Sequence, residues 1–264
     1  MSKSANLPRI WWCPTGPLTF LPLHAAGIYS ADDDSSTISL SDFAISSYTP
    51  TLTALLEASR VAEPGAFKLL AVSQAEALGL SHLSGTEKEL NIIKDHASKH
   101  GMLVLEDAEA TVPEVLSGME RCSWVHLACH GVQDLGEPTK SGLLLHKGRL
   151  TLSEIIKTSL PVADFAFLSA CQTASGDDSS PDEAIHLAAG MLSAGYRRVI
   201  ATMWSIEDKD APLVADTVYS HLFENGEPNS ANSARALHAA TQRLRERHQG
   251  RSFASWVPFI HVGV

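Results

Sequence analysis

Short apolar runs alternate along this chain with longer amphipathic stretches, and the alternation predicts most of its elements. Ile10–Cys13 and Leu18–Leu21 flank a Pro-Thr-Gly-Pro turn and predict a β-hairpin. Residues 31–36 (ADDDSS) form a polar loop. Phe43–Ser47 reads as a strand, Thr51–Arg60 as a helix beginning after Pro50, and Phe67–Val72 as another apolar strand. Thr86–His100 is amphipathic, with Leu90, Ile93 and Ala97 on one face, and Ser84 or Thr86 is the expected cap. Met102–Leu105 is a strand, and Thr111–Met119 a helix with Pro113 in its first turn.

The second half repeats the pattern with stronger strands. Trp124–Cys129 is one. Leu143–His146 and Arg149–Leu150 resemble a hairpin around Lys147-Gly148. Thr151–Lys157 opens with a capping box, Thr151 followed by Glu154. Phe165–Ala170 reads as an apolar run around Ser169, as a central parallel strand should. Glu183–Ala194 is a helix closed by Gly195, with Asp182 and Glu183 at its start. Arg198–Met203 is the next strand, Pro212–Phe223 and Ser233–Arg247 are helices, and Pro258–Val262 is a last short strand. Strands alternating with helices predict an α/β fold on a mainly parallel sheet.

Composition narrows the class. Of 264 residues, 44% are hydrophobic and 19% charged, enough apolar surface for a buried core. No apolar run is long enough for a transmembrane helix. The opening MSKSANLPRIWWCPTGP lacks a signal core, so a cytoplasmic or nuclear location is expected. The four cysteines, Cys13, Cys122, Cys129 and Cys171, form no CxxC pair and no disulfide framework. A net charge of −10 argues against nucleic-acid binding and is compatible with a basic substrate segment.

Two strands end on reactive residue types. The run Trp124–Gly131 (WVHLACHG) closes on His130 and Gly131, and Phe165–Thr173 (FAFLSACQT) closes on Cys171. In a parallel sheet the carboxyl ends of strands carry function, so neighbouring strands would bring a base beside a thiol. Histidine titrates near neutral pH and serves as a general base with little tuning. The Gly131 N–H is a possible oxyanion donor. The plainer readings are a turn-capping histidine and a small buried thiol, against which stands the polar sequence that follows Cys171. Cys129 and His126, on the same strand as His130, are expected to be packed structural groups. A zinc site from His126, Cys129, His130 and Cys171 has no supporting spacing, so no metal or other cofactor is expected. The loop Trp204–Pro212 carries Trp204, Glu207, Asp208 and Asp210, which would suit a pocket for Arg or Lys; equally, Asp208 or Asp210 would cap the helix from Pro212.

The strings HLACHG, FLSACQTASGDDSSPDEAIHLAAGMLSAGYRRVIATMWSIEDKDAP and SWVPFIHVGV resemble the CHAT domain, a caspase-like family related to separases. Residues 12–27 (WCPTGPLTFLPLHAAG) are similar to that family's opening segment. The likeness runs from about residue 10 to the end. It implies a caspase–hemoglobinase three-layer fold with helices on both faces of the sheet. It places the catalytic pair on His130 and Cys171, and the oxyanion donors on the backbone N–H groups of Gly131 and Cys171. It sets Asp208 where separase-like relatives carry an acidic specificity residue, with Trp204 and Asp210 as further candidates to line the pocket. Ser-Ala-Cys-Gln-Thr departs from the caspase Gln-Ala-Cys-x-Gly, so aspartate specificity is not implied. Ser169 stands where metacaspase-type relatives carry Asp.

One CHAT-like domain over 1–264 is therefore expected, with residues 10–110 as a non-catalytic half and 111–264 as the catalytic half. The expected function is a cysteine endopeptidase cutting after Arg or Lys. It would be latent until a partner or cleavage rearranges residues 174–181, and a protein or peptide is the expected substrate. The other reading is a catalytically silent signalling or interaction module. A cysteine-dependent esterase is weaker, since no Gly-x-Ser-x-Gly-type elbow is present.

Overall fold

The apolar runs form one sheet of ten strands in a computed structural model that describes residues 7–29, 37–60, 66–77, 80–132, 134, 136–172, 182–248 and 252–264, by backbone alone at 138, 170–172 and 182–186. In chain order the first elements are β1 (Arg9–Trp12), β2 (Gly27–Ile28), β3 (Ile38–Ser39), β4 (Ile45–Tyr48) and α1 (Leu52–Ala58). Next come β5 (Leu69–Ser73), α2 (Ser84–Ala97), β6 (Met102–Glu106), α3 (Val112–Arg121) and β7 (Trp124–Val132). β8 (Gly142–Leu145), β9 (Gly148–Thr151), α4 (Leu152–Lys157), β10 (Phe165–Gln172) and α5 (Asp182–Ser193) follow. The chain ends with β11 (Arg198–Thr202), α6 (Ala211–Leu222), α7 (Ser233–Arg247), α8 (Phe253–Trp256) and β12 (Phe259–Gly263).

The sheet runs β1-β4-β12-β11-β10-β7-β5-β6, with the β8–β9 hairpin attached to β7 and β2–β3 forming a separate ribbon. β6, β5, β7, β10 and β11 are mutually parallel; β12 is antiparallel to β11, and β4 and β1 continue parallel to β12. The pleat sends alternate residues to opposite faces. Val125, Leu127 and Cys129 of β7, with Ala166 and Leu168 of β10, join Val115, Met119, Ile155 and Met191 from α3, α4 and α5. Trp124, Phe165 and Phe167 face the other way, against Leu90 and Ile93 of α2, Val214 and Val218 of α6 and Leu237 of α7. Each fully buried Leu, Val or Phe contributes roughly 1.5–3 kcal/mol of transfer free energy. Helices therefore cover both faces, giving three layers.

Several expectations are corrected. β1 does not form a hairpin with residues 18–21: it pairs in parallel with β4, and Gly16–Phe20 is a 3-10 turn opened by Pro17. The ribbon β2–β3 and the short α8 carried no periodicity that would have announced them. Of the strands before residue 110, β1 and β4 lie at one edge of the common sheet and β5 and β6 at the opposite edge. Other signals held. Thr151 and Glu154 form the capping box, and Gly195, at φ 115°, follows α5 in a conformation that suits glycine. Gly190 of α5 is held small by α4, since a Cβ there would collide with the Leu152 side chain. Among the described residues no helix is long and apolar enough to cross a membrane.

Candidate active site

β7 and β10 pair in parallel over their length, and their shared register defines the site. Trp124 lies opposite Phe165, His126 opposite Phe167, Ala128 opposite Ser169, and His130 opposite Cys171. Residues in register on a parallel ladder share one phase of the pleat. The face that begins in aromatic packing thus becomes polar step by step toward the carboxyl edge. Gly131 lies opposite Gln172 of β10 and Leu143 of β8.

His130 is buried, 1% exposed. Its Nε2 lies 2.9 Å from the carbonyl oxygen of Ser81, in the segment that leads into α2. A carbonyl only accepts, so Nε2 is the donor, and in the neutral ring Nδ1 then holds the lone pair. That Nδ1 is buried and has no hydrogen-bond partner among the described residues.

A second polar layer lies directly beneath. Glu89 of α2, 1% exposed, accepts a hydrogen bond from Ser169 Oγ at 2.9 Å. Its other oxygen is 3.2 Å from His126 Nε2. That contact is within ion-pair reach but misaligned for a hydrogen bond, since neither atom has a hydrogen-bond partner. It is an electrostatic contact. The Tyr219 hydroxyl of α6 is 3.3 Å from His126 Nδ1. Burial raises the Tyr219 pKa well above its ordinary value, and the Glu89 charge pushes it the same way, so the hydroxyl keeps its proton. Reading the sequence by its apolar face missed Glu89. The signal was present: Thr86, Glu89, Leu90, Ile93 and Ala97 share the buried face of α2.

Cys129 is fully buried in the opposite core, as is Cys122, whose thiol pKa is raised by burial. His126 is buried in the layer just described.

The Trp204–Pro212 loop departs from the pocket it was expected to form. Asp210 is fully buried, and both its oxygens lie 3.1 Å from His248 Nε2. A carboxylate so enclosed and paired does not line a substrate pocket. Nor does it cap α6, where its side chain makes no cap hydrogen bond. Asp208 is partly exposed and acts on a different helix: its Oδ2 accepts from the Gly85 N–H at 2.8 Å and from Ser84 Oγ at 3.1 Å. It holds the first turn of α2, a task the sequence had given to Ser84 or Thr86. A Cβ on Gly85 would press against the Asp208 carboxylate and carbonyl, so this approach requires glycine. Trp204 is half-buried and packs against both cores. Residues 174–181, the expected mobile switch, lie outside the described residues.

A sequence profile described as CHAT domain matches residues 1–264. No curated protein matches the chain. Among solved structures, the Arg-specific cysteine proteinase gingipain R superposes with a TM-score of 0.51 at 15% identity, over 84% of this chain and 54% of that one. The complex of Porphyromonas gingivalis RgpB pro- and mature domains gives 0.51 at 12% identity, over 84% and 55%. The Saccharomyces cerevisiae separase–securin complex gives 0.56 at 13% identity, over 85% of this chain and 14% of that one. The chain thus spans about half the length of the gingipain chains and a small part of the separase chain. These likenesses establish a caspase-like peptidase fold.

Proposed function

The chain belongs to the CHAT-domain family, and from that premise we propose that it is a cysteine endopeptidase working through His130 and Cys171. One observation carries the reading: β7 and β10 set these two residues in register at their carboxyl ends, while Ser81 holds the far side of the imidazole. In the reaction the Cys171 thiol gives its proton to His130 Nδ1. The thiolate then attacks the scissile carbonyl carbon and forms a C–S bond. The backbone N–H groups of Gly131 and Cys171 are the proposed donors to the oxyanion. The His130 imidazolium next protonates the amine nitrogen as the C–N bond breaks, leaving a thioester. Water gives a proton to Nδ1 and adds to the thioester. Loss of the C–S bond releases the acid and returns the thiol.

The proposed recognition element for an Arg or Lys before the cut is Asp208, with Trp204 as an adjoining wall. The carboxylate is partly exposed and fixed in one position by Ser84 and Gly85, and fixed anions suit a guanidinium. The gingipain neighbour is named as Arg-specific. Latency is part of the proposal, with residues 174–181 as the switch and a protein as activator or inhibitor; the separase neighbour is bound to securin.

The test is labelling by an arginine-directed acyloxymethyl ketone, comparing wild type with Cys171→Ala and Asp208→Ala. Labelling that needs both residues is expected. Labelling that needs only Cys171 discards the pocket. A wild type inert alone and with cell extract added would make the chain a silent module.

A further inference from the structure

The polar layer beneath the dyad has no part in the mechanism above, yet it is costly to bury. Glu89, His126, Ser169 and Tyr219 are all at most 4% exposed. A carboxylate in such a place persists only when donors surround it. Here Ser169 Oγ donates to one oxygen, and the His126 ring nitrogen at 3.2 Å faces the other. Both groups come from the two strands that carry the dyad. Ser169 is two residues before Cys171 on β10, and His126 is four before His130 on β7. The same helix reaches the site twice more. The Ser81 carbonyl just ahead of α2 fixes His130, and the first turn of α2 receives Asp208.

We propose that Glu89 is the positioning residue of this site: its buried carboxylate binds Ser169 and faces His126, and so holds the carboxyl ends of β10 and β7 against α2 and sets how His130 and Cys171 are presented to each other. This rests on the dyad reading above and assigns its geometry to one side chain. Apolar packing alone would not achieve it. Trp124, Phe165 and Phe167 fill the deeper layers of this face, but at the Ala128–Ser169 layer the strands carry only small side chains. Glu89 reaches that layer, hydrogen-bonded to Ser169 of β10 and facing His126 of β7. Remaining charged groups along the α2–α6 boundary, such as His96 with Asp216 at 3.2 Å, pair with each other.

The experiment follows the rate of Cys171 alkylation by iodoacetamide against pH, read by peptide mass spectrometry on the whole chain. No substrate is required. The variants are Glu89→Gln, Ser169→Ala and Ser169→Thr, with His130→Ala as the control for the dyad. A thiol held against an imidazolium ionises well below its ordinary range near pH 8.5. If Glu89 positions the pair, Glu89→Gln and Ser169→Ala move the midpoint upward, by roughly one pH unit toward that ordinary value. Ser169→Thr, which keeps the hydroxyl, restores it. A downward shift would mean that Glu89 acts only as a negative charge opposing the thiolate, and would overturn the proposal. So would an unmoved midpoint in folded Ser169→Ala, which keeps the test decisive if Glu89→Gln fails to fold. A wild-type midpoint indifferent to His130→Ala would overturn the dyad reading, and this inference with it. A midpoint that needs His130 but not Glu89 or Ser169 overturns this inference alone.

Discussion

The two faces of β7 differ in a way their shared backbone does not explain. On one, Val125, Leu127 and Cys129 are packed without a polar interruption. On the other, Trp124 gives way to His126, Ala128 and His130, all buried. The strand is thus core on one side and candidate chemistry on the other, and the two are separated by a single residue of pleat. A slip of one residue would exchange the faces completely. The pairing with β10 must therefore be held firmly, and the apolar face does most of that holding. Stability and reactivity should come apart when the faces are mutated separately.

The largest effect is expected on the polar face. His130→Ala should slow cleavage of an arginine-containing peptide by about 10²–10⁴-fold, the usual worth of a general base. Its melting midpoint should fall, because the substitution also breaks the Nε2–Ser81 hydrogen bond and leaves a gap at a buried site, but the loss of cleavage should persist in the folded fraction. A variant that loses activity only by unfolding would break the contrast. Leu127→Ala should do the reverse. Removing a fully buried leucine costs roughly 2–5 kcal/mol. The alkylation rate of Cys171 per folded molecule should be unchanged, as urea titration and mass spectrometry on one sample would show.

A third expectation sets the site apart from the other histidine-rich region. His24 lies between the Tyr48 hydroxyl at 2.7 Å and the Val257 carbonyl at 2.9 Å, near the β4–β12 edge. Burial lowers its pKa to about 4 against the opposing pull of that carbonyl. Buried His261 is also pushed well down, by burial first and then by Arg9 and Arg198. Both therefore bind protons less readily in the folded chain than in the unfolded one. Their stabilisation is complete above the unfolded value near pH 6.5 and is lost as the pH falls toward about 4 for His24. The ceiling is ~1.4 kcal/mol per pH unit for each group, less where water still reaches the ring. The urea midpoint should fall between pH 6.5 and pH 4.5, and His24→Gln should flatten that fall; an equally steep fall in the variant would refute the assignment.

Periodicity made the central strands legible because strands buried on both faces read as largely apolar runs, interrupted in Phe165–Ala170 only by Ser169 and in Trp124–Cys129 only by His126. Local chemistry marked the turn into α4, where the capping box lies within four residues, and the end of α5 at Gly195. What sequence could not supply was contact at long range. Leu18–Leu21 has the apolar content of a strand, but Gly16 and Pro17 start a 3-10 turn and β1 finds its partner in β4. Asp208 looked like a cap for the next helix and instead holds the first turn of one 123 residues earlier in the chain. Glu89 went unread because the residues that make its burial tolerable, Ser169 and His126, belong to other elements.

The smallest expected effect bears on Asp208, which sits at the rim of the polar face and has two roles to separate. As a cap it accepts from Gly85 and Ser84 and places a negative charge at the positive end of α2. Removing such a cap costs about 0.5–2 kcal/mol. Asp208→Ala should lose that stabilisation together with any attraction for a basic substrate, so it cannot distinguish the roles. Asp208→Asn can. Its carboxamide oxygen still accepts from the Gly85 N–H, so most of the cap survives and the melting midpoint should move by only a degree or two, at roughly 2–4 °C per kcal/mol for a chain this size. Its charge is gone, so labelling by the arginine-directed probe should fall as far as in Asp208→Ala. If Asn instead labels like wild type while Ala does not, the carboxylate contributes only by holding α2. The acidic rim would then belong to the scaffold of the site rather than to its specificity.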